Sequence, residues 1–491
     1  MVDFAQIPQN LRLPLFYAEL DNSRANSGQQ NQRTLIIGQQ AASGALVAGK
    51  AVLLQGIAWV QTQAGLGSQL ALMAEWYRKR DSFGEVYLLP LADAGAAVAA
   101  TATIAVTTAA TAPGTLNLYI GGQRVQVLVS AAQTTAQTAT AIAGAINAMA
   151  SLPVTAAVTT STVTLTARNK GACGNDIDLQ LNYLGAAGGE ATPSGLVLAI
   201  SAMTGGTANP TLDTALAALG DKEFDFIVLP YTDTASLDAM KAFLAARWSW
   251  ERMLYGGAFA ALRGTLGAAT TFGLARNDAH VSVMPFNGSP TPAVLWAANT
   301  AGAYAQSLRA DPGLPLHGLP LDVLAPPIES RFAAAERNVL LWDGLSTFAV
   351  ADDGTVTTET IVTTYQKNAL GQPDDSYLYV ERLYTIAYVI RDLKQFITSR
   401  FGRAKLASDG TTPRAGSRTV TPGVIRDAIL GRYRFLERNG YVQEYEQFAA
   451  SLVVQRNGTN RCRVDALLPI IPIDQLRQLA AVVQPRNAGE E

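Results

Sequence analysis

Few residues in this chain have the type and spacing to do chemistry, and each set is incomplete. Gly44-Ala45-Leu46-Val47-Ala48-Gly49-Lys50-Ala51 carries the two glycines and the lysine of a phosphate-cradling loop. Such a loop holds phosphate with backbone amides, and a Ser or Thr after the lysine holds magnesium through its hydroxyl. Here that position is Ala51, and Ala51-Val52-Leu53-Leu54 reads as a strand where a helix should open. A flexible loop between strands is the better reading. Gly65-Leu66-Gly67-Ser68 supplies two glycines of a dinucleotide fingerprint without the third, and Ser68 reads better as a helix N-cap. His280 and His317 are the only histidines. A catalytic triad needs one histidine between a nucleophile and a carboxylate, and neither neighbourhood shows a Gly-x-Ser-x-Gly elbow. Cys173 and Cys462 are far apart and show no metal or redox spacing. The expectation is therefore no catalytic residue, no cofactor and no metal. A nucleotide-binding or hydrolytic α/β enzyme is the alternative, motivated by the near phosphate loop.

The bulk composition points to a chain that covers its surface with neighbours. Its 491 residues are long enough for two or three domains with a substantial core. Hydrophobic residues make up 48% and charged residues 15%, below the usual quarter, so much of the surface is weakly solvated and an oligomer is expected. A net charge of -2 gives no steering toward nucleic acid or membranes. The first residues lack the basic-then-apolar pattern of a secretory leader. No apolar run approaches the roughly 20 residues that span a bilayer.

The positioning elements change character along the chain. Residues 1–32 read as an arm. Leu11, Leu13, Leu15, Phe16, Tyr17, Ala18 and Leu20 form an extended apolar stretch broken by Pro8 and Pro14, and a polar tether, Asp21 to Arg33, follows. Such a strand can pack on its own body or add to a neighbour's sheet edge. From Thr34, strands and helices alternate: strands over 34–38, 51–58 and 85–91, a helix over 68–79, then helices over 212–219, 236–252 and 292–308 with strands over 224–230 and 281–285. This predicts an α/β unit (33–94 and 210–325) with a central, mostly parallel sheet and helices on both faces. The interruption, 95–209, is rich in Ala, Thr, Gly and Val and poor in charge. It reads as an inserted β-rich domain, with a hairpin turning at Gly121-Gly122 and at least one helix, over 134–150.

The last third is organised by Ser376 to Leu406. Leu383, Ile386, Ala387, Ile390, Leu393 and Ile397 recur at helical spacing. Asp374, Asp375 and Ser376 supply acceptors at its start, and Gly402 is free to end it in the left-handed conformation. Upstream, strands over 347–351 and 355–365 flank the tight turn Asp353-Gly354. Downstream, Thr421 and Pro422 open a helix that ends at Asn439-Gly440. One side of it carries Arg426, Arg432, Arg434 and Arg438, a solvated face or one that docks on a negatively charged partner. Strands are expected over 448–455 and 461–469, and the final stretch, 475–484, reads as helix or strand.

Here the chain resembles the contractile tail sheath proteins of bacteriophages, and the Mu-like variety most. The resemblance rests on Ala325-Pro326-Pro327, Glu336-Arg337-Asn338-Val339-Leu340-Leu341, Gly344, Phe348, Thr363-Thr364-Tyr365 and the helix after Ser376, in that order. Ala64-Gly65-Leu66-Gly67-Ser68-Gln69-Leu70 also resembles a sheath string, which has phenylalanine at its first position. The resemblance implies a subtilisin-like middle domain interrupted by an outward-facing knob, a C-terminal sheath core domain (326–470) of α+β type, and terminal arms over 1–32 and 471–491. It implies a homo-oligomer of stacked hexameric rings around a tail tube protein, with baseplate and tail terminator proteins as further partners, no nucleic acid and no direct membrane insertion. The place implied is the virion tail, assembled in the host cytoplasm. Arm residues expected between subunits are Leu13, Leu15, Phe16, Tyr17 and Leu20 at one end and Leu476, Leu479, Val482 and Val483 at the other. The arginine face is the candidate for the tube. The sheath of a phage-derived bacteriocin or another contractile injection system reads identically.

Overall fold

A computed structural model describes residues 32–485 except 413 and 415. Leu13, Leu15, Phe16, Tyr17 and Leu20 lie outside the described residues.

The first unit is built on a six-stranded sheet. Its strands are Gly257–Arg263 beside Val281–Phe286 at one side, then Phe226–Val228, Arg33–Gln39 and Glu85–Leu91, ending at the short strand Val52–Leu53. All neighbours run parallel except the last pair. These strands are runs of Val, Ile, Leu, Phe and Ala because both faces are covered. Ile36 points into one core with the helices Ile57–Ala64, Gln69–Arg78 and Ala293–Ala310. Leu35 and Ile37 point into the other, against Asp213–Ala217, Thr234–Arg247 and Leu266–Leu274. The alternation is the two-residue period of a strand, and it separates the cores cleanly.

The interruption forms its own unit. Thr101–Thr108, Thr162–Ala167, Val154–Thr159 and Val197–Ile200 make a four-stranded antiparallel sheet. Gly114–Ile120, Gln123–Val129 and Leu179–Leu181 make a three-stranded one. Helix Thr135–Ala148, capped by Thr134 and Gln137, shares a closed apolar core with both. Gly121 and Gly122 take φ of 56° and 79°, as the predicted hairpin turn requires.

In the last third, Val380–Phe401 is a helix of 22 residues, and Pro422–Arg438 packs on its second half around Val389, Leu393, Ile429, Tyr433 and Phe448. Thr421 caps the second helix through Val424, with Pro422 in the first turn, as read from the sequence. The hairpin Thr347–Val350 and Val356–Thr360 joins Pro320–Leu321 in a three-stranded sheet.

Several expectations need correction. Residues 51–58 are not one strand: only Val52–Leu53 pairs, and a helix opens at Ile57 because Gly56, at φ 135°, breaks the extended run. The strand Gly257–Arg263 and helix Leu266–Leu274 add to the expected elements; both are rich in alanine and glycine and carry little periodic signal. Residues 448–455 begin as helix Tyr445–Ser451, which turns Phe448 into the core, and only Val453–Arg456 is strand. The long helix begins at Val380, after a turn in which Asp374 accepts the Ser376 amide. Gly402 ends it right-handed, at φ -59°. Residues 475–484 form neither helix nor strand within one chain.

Candidate functional site

The place to look for α/β chemistry is the crevice beyond the carboxyl ends of the parallel strands, where the strand order reverses. That point lies at Arg33–Gln39, which pairs with Glu85–Leu91 on one side and Phe226–Val228 on the other. The crevice is filled by the inserted unit. Asn169 Oδ1 accepts the Gln69 amide (2.8 Å) at the start of one flanking helix, and Asp176 accepts the Ala293 amide at the start of the other. Free helix N-termini of this kind are where phosphates bind. Here side chains of the same protein take those positions. Around them, Gln39 Nε2 donates to Asp93 Oδ1 (2.7 Å) and to the Lys170 carbonyl (2.6 Å), and Tyr231 donates to Gln39 Oε1 (3.1 Å). Arg263 pairs with Asp176 and donates to the Ser289 carbonyl at 2.6 Å. Burial raises the Asp176 carboxyl pKa, and the Arg263 guanidinium opposes the shift. What remains is a cavity of about 50 Å³ lined by Gln39, Gly67, Asn169, Cys173 and Pro292, far below a nucleotide's volume.

The two glycine motifs take their meaning from this junction. Gly67 has φ +73°, and a Cβ there would lie 2.3 Å from the Leu152 carbonyl oxygen of the insert. Its glycine admits another backbone rather than a pyrophosphate. Ser68 is an N-cap, its Oγ accepting from Ala71. Lys50 is exposed on a loop that leads into a strand, with no helix behind it.

The histidines do not meet a nucleophile. His280 stacks on Trp248 with centroids 4.3 Å apart and meets Tyr377 edge-on. Burial pushes its pKa down to about 4 despite nearby Asp278, so it is neutral near pH 7. His317 is exposed on an irregular stretch, with Nδ1 2.9 Å from the Glu359 carbonyl. Among the described residues no cluster of three His, Cys, Asp or Glu could hold a metal ion, and no helix is long and apolar enough to cross a membrane.

The sheath-like string is a packing node. Glu336 caps its own helix, Ala334–Trp342, through the Ala333 amide (2.7 Å). Arg337 bridges to Glu359 at 2.8 Å and holds the hairpin. Gly344 has φ +72°, and a Cβ there would lie 3.0 Å from the Thr364 Cα. Thr364 in turn bonds the edge strand through Val281 (2.9 Å). Residues 336–364 therefore lock the last third onto the central sheet.

Family comparison decides the class of this scaffold. Residues 205–364 match the phage tail sheath protein central domain and residues 372–486 the phage tail sheath C-terminal domain. The chain belongs to the phage tail sheath family. It is 38% identical over 485 residues to the Mu-like prophage FluMu tail sheath protein of Haemophilus influenzae, covering 98% of this chain and 99% of that one. Among solved structures it is similar to the sheath tail protein of Desulfitobacterium hafniense (15% identity, 94% of this chain, 97% of that one, TM-score 0.49). It is also similar to the contracted PVC sheath of an extracellular contractile injection system (10% identity, 97% and 98% coverage, TM-score 0.48). The sheath resemblance read from the sequence is borne out.

In this sheath-family chain the candidate assembly residues are placed unevenly. Arg426 donates to the Ala449 carbonyl (2.9 Å), and Arg432 pairs with Asp392 and lies 4.3 Å over Phe435. Both are half-buried and tied to the body. Arg434, over Tyr445 at 4.1 Å, and Arg438 stay exposed, in a shallow cleft shared with Glu437, Glu444 and Glu446. The C-terminal segment is stitched down as far as Arg477, whose Nη2 donates to Glu381 Oε2 at 3.0 Å. Beyond it, Leu479, Val482 and Val483 are 87%, 90% and 85% exposed.

Sequence reasoning missed three residues that the long helix buries: Glu381, Tyr384 and Arg391. The signal was present. Glu381 to Tyr384 is one turn and Tyr384 to Arg391 two, so the three share a face set apart from the apolar stripe of Leu383, Ile386, Ile390 and Leu393, and a glutamate, a tyrosine and an arginine recurring at helical spacing are themselves the signal.

Proposed function

We propose that this chain is the repeating structural subunit of a contractile tail sheath. Copies stack as hexameric rings into a helical tube around the tail tube protein, anchored at baseplate and terminator. Contraction of the rings drives the tube through the host envelope. The reading makes the chain a component of the virion tail, assembled in the host cytoplasm, and a scaffold instead of an enzyme.

The observation that carries it is the chain end. Leu476, Leu479, Val482 and Val483 are 81–90% exposed on a segment without ladder partners among the described residues, although they are the residues that a chain ordinarily buries. The body also offers a place for such a segment. Val453–Arg456 and Val464–Leu467 form a two-stranded sheet that no further strand joins among the described residues, a form only marginally stable alone. A neighbour's extended segment completes it. Each added ladder hydrogen bond contributes about 1 kcal/mol net, and each buried leucine or valine about 1.5–3 kcal/mol. One arm thus gives a modest link, and repetition over every subunit holds the lattice while bodies rotate as units. The filled crevice supports the scaffold reading.

The test is electron microscopy of the purified chain beside variants lacking residues 1–20 or 478–491. Hollow tubes of uniform width from the full chain, and dispersed folded particles from both truncations, support the proposal. Compact particles from the full chain at all concentrations overturn it.

A further inference from the structure

The two described ends of the body are rooted on one helix. At the first end, Arg33 opens the central strand, and its backbone N–H donates to Asp225 Oδ2 at 3.1 Å. Asp225 returns its own amide to the Arg33 carbonyl at 2.8 Å. Asp225 is buried and pairs with the buried Arg391 of helix Val380–Phe401. Arg391 also donates to the Tyr255 carbonyl (2.9 Å), and Tyr384 of the same helix donates its hydroxyl to the Asp225 carbonyl (2.5 Å).

At the second end, Ile473 donates to the Tyr441 carbonyl (3.1 Å) and Gln443 to Asp474 (2.8 Å). Arg477 then reaches Glu381, which is 0% exposed and whose other oxygen accepts the Leu316 amide at 2.8 Å. The Arg477 guanidinium also lies 3.9 Å over the Tyr379 ring. No hydrogen bond joins residues 478–485 to another described residue. Among the described residues Arg477 is thus the last one held by a hydrogen bond, and the segment beyond it starts at Gln478.

From these contacts we infer that helix Val380–Phe401 is the common anchor of both chain ends, gripping one through Asp225–Arg391 and the other through Arg477–Glu381. The two grips are about 15 Å apart at the helical rise per residue. Each couples opposite charges out of water, where loss of one partner strands the other. A pull on either end is carried into this helix, which is packed on both the central sheet and the C-terminal core, and the bodies turn without the ends peeling away. The inference rests on reading the chain ends as links between subunits.

The test compares tubes formed by the full chain, by Arg477→Met, by Asp225→Asn and by Asp392→Asn. The last breaks an ion pair one residue beyond Arg391 that runs to Arg432 of helix Pro422–Arg438 and to neither chain end, and so controls for general loss of stability. Subunit release from preformed tubes is followed by pelleting in dilute urea. Release at least tenfold faster in Arg477→Met and Asp225→Asn, with Asp392→Asn equal to the parent, is the expected result. In Arg477→Met the Ile473 amide should exchange with deuterium at least tenfold faster, and Arg477→Lys should restore part of the tube lifetime. Parent-like release from either root variant, or equally fast release from Asp392→Asn, overturns the inference. If the chain ending at residue 477 forms ordinary tubes, the C-terminal link itself is wrong and the inference falls with it. If that truncation fails to assemble while Arg477→Met behaves as parent, only the anchor is wrong.

Discussion

Asn169 lies in the inserted unit and Gln69 starts a helix of the α/β unit, and the carboxamide oxygen of the first accepts the backbone N–H of the second at 2.8 Å. The same side chain donates to the Gln40 carbonyl at 2.8 Å, so one residue closes two backbone groups of the other unit. The insert is therefore clamped onto the crevice instead of swinging on its two connections. Asn169→Ala should lower stability by about 1–2 kcal/mol, the range for losing a helix cap. Urea unfolding measures the loss. Protease cleavage near 93–97 and 205–209 should quicken, and unchanged cleavage would show that the junction is held elsewhere.

How much of this was legible depends on whether a residue's partner is near in sequence. The alternation of Leu35, Ile36 and Ile37 between two cores follows from local pattern, and so does the cap at Thr421. The strand Gly257–Arg263 was hidden because a central strand of alanines is buried on both sides and shows neither period. Phe448 and Leu452 read as strand because two runs of three apolar residues, Phe448 to Ala450 and Leu452 to Val454, fit either element; the Phe448 ring stacks on Tyr433 from a helical turn that Leu452 ends. The roles of Gly67, Asn169, Asp176 and Glu381 depend on partners tens to more than a hundred residues away, which no local spacing reveals.

The four arginines of helix Pro422–Arg438 should separate into two classes. Arg432→Ala removes an ion pair to the mostly buried Asp392 and a stack on Phe435, and a loss of about 1–3 kcal/mol is expected in thermal or urea unfolding. Arg434→Glu with Arg438→Glu touches exposed side chains, so stability should stay within about 0.5 kcal/mol. If this face meets the tube, the double reversal should impair assembly on the tube while tube-free polymers still form. Normal assembly on the tube would remove Arg434 and Arg438 from that role.

Gly344 is a position where any side chain is strained twice. Its φ of +72° disfavours L-residues, and the new Cβ would press on the Thr364 backbone at 3.0 Å. Gly344→Ala should cost about 1–3 kcal/mol or more and loosen the hold of the hairpin on the edge strand. Hydrogen exchange at the Thr364 and Ser346 amides, which bond Val281 and Val283, reports that loosening directly. A melting temperature equal to the parent's would mean that the turn relaxes without strain.

His280 makes stability fall as the solution becomes acidic. Its pKa is lowered from 6.5 to about 4, chiefly by burial against Trp248 and Tyr377, with Asp278 acting the other way. Above pH 6.5 the ring is neutral in both folded and unfolded chains, and it contributes no pH dependence. Between pH 6.5 and 4 the unfolded chain takes up a proton that the folded chain refuses, so the folded state loses up to about 1.4 kcal/mol per pH unit. Below about pH 4 both forms are protonated and the loss levels off. His280→Phe keeps a flat ring against Trp248 and sacrifices no bond at Nε2, which is buried without a partner. Urea midpoints taken from pH 7 to pH 4 should therefore converge on or cross those of the parent, with the variant's slope shallower by up to that amount. Parallel slopes would show that the imidazole is protonated in the folded chain, with Asp278 outweighing burial.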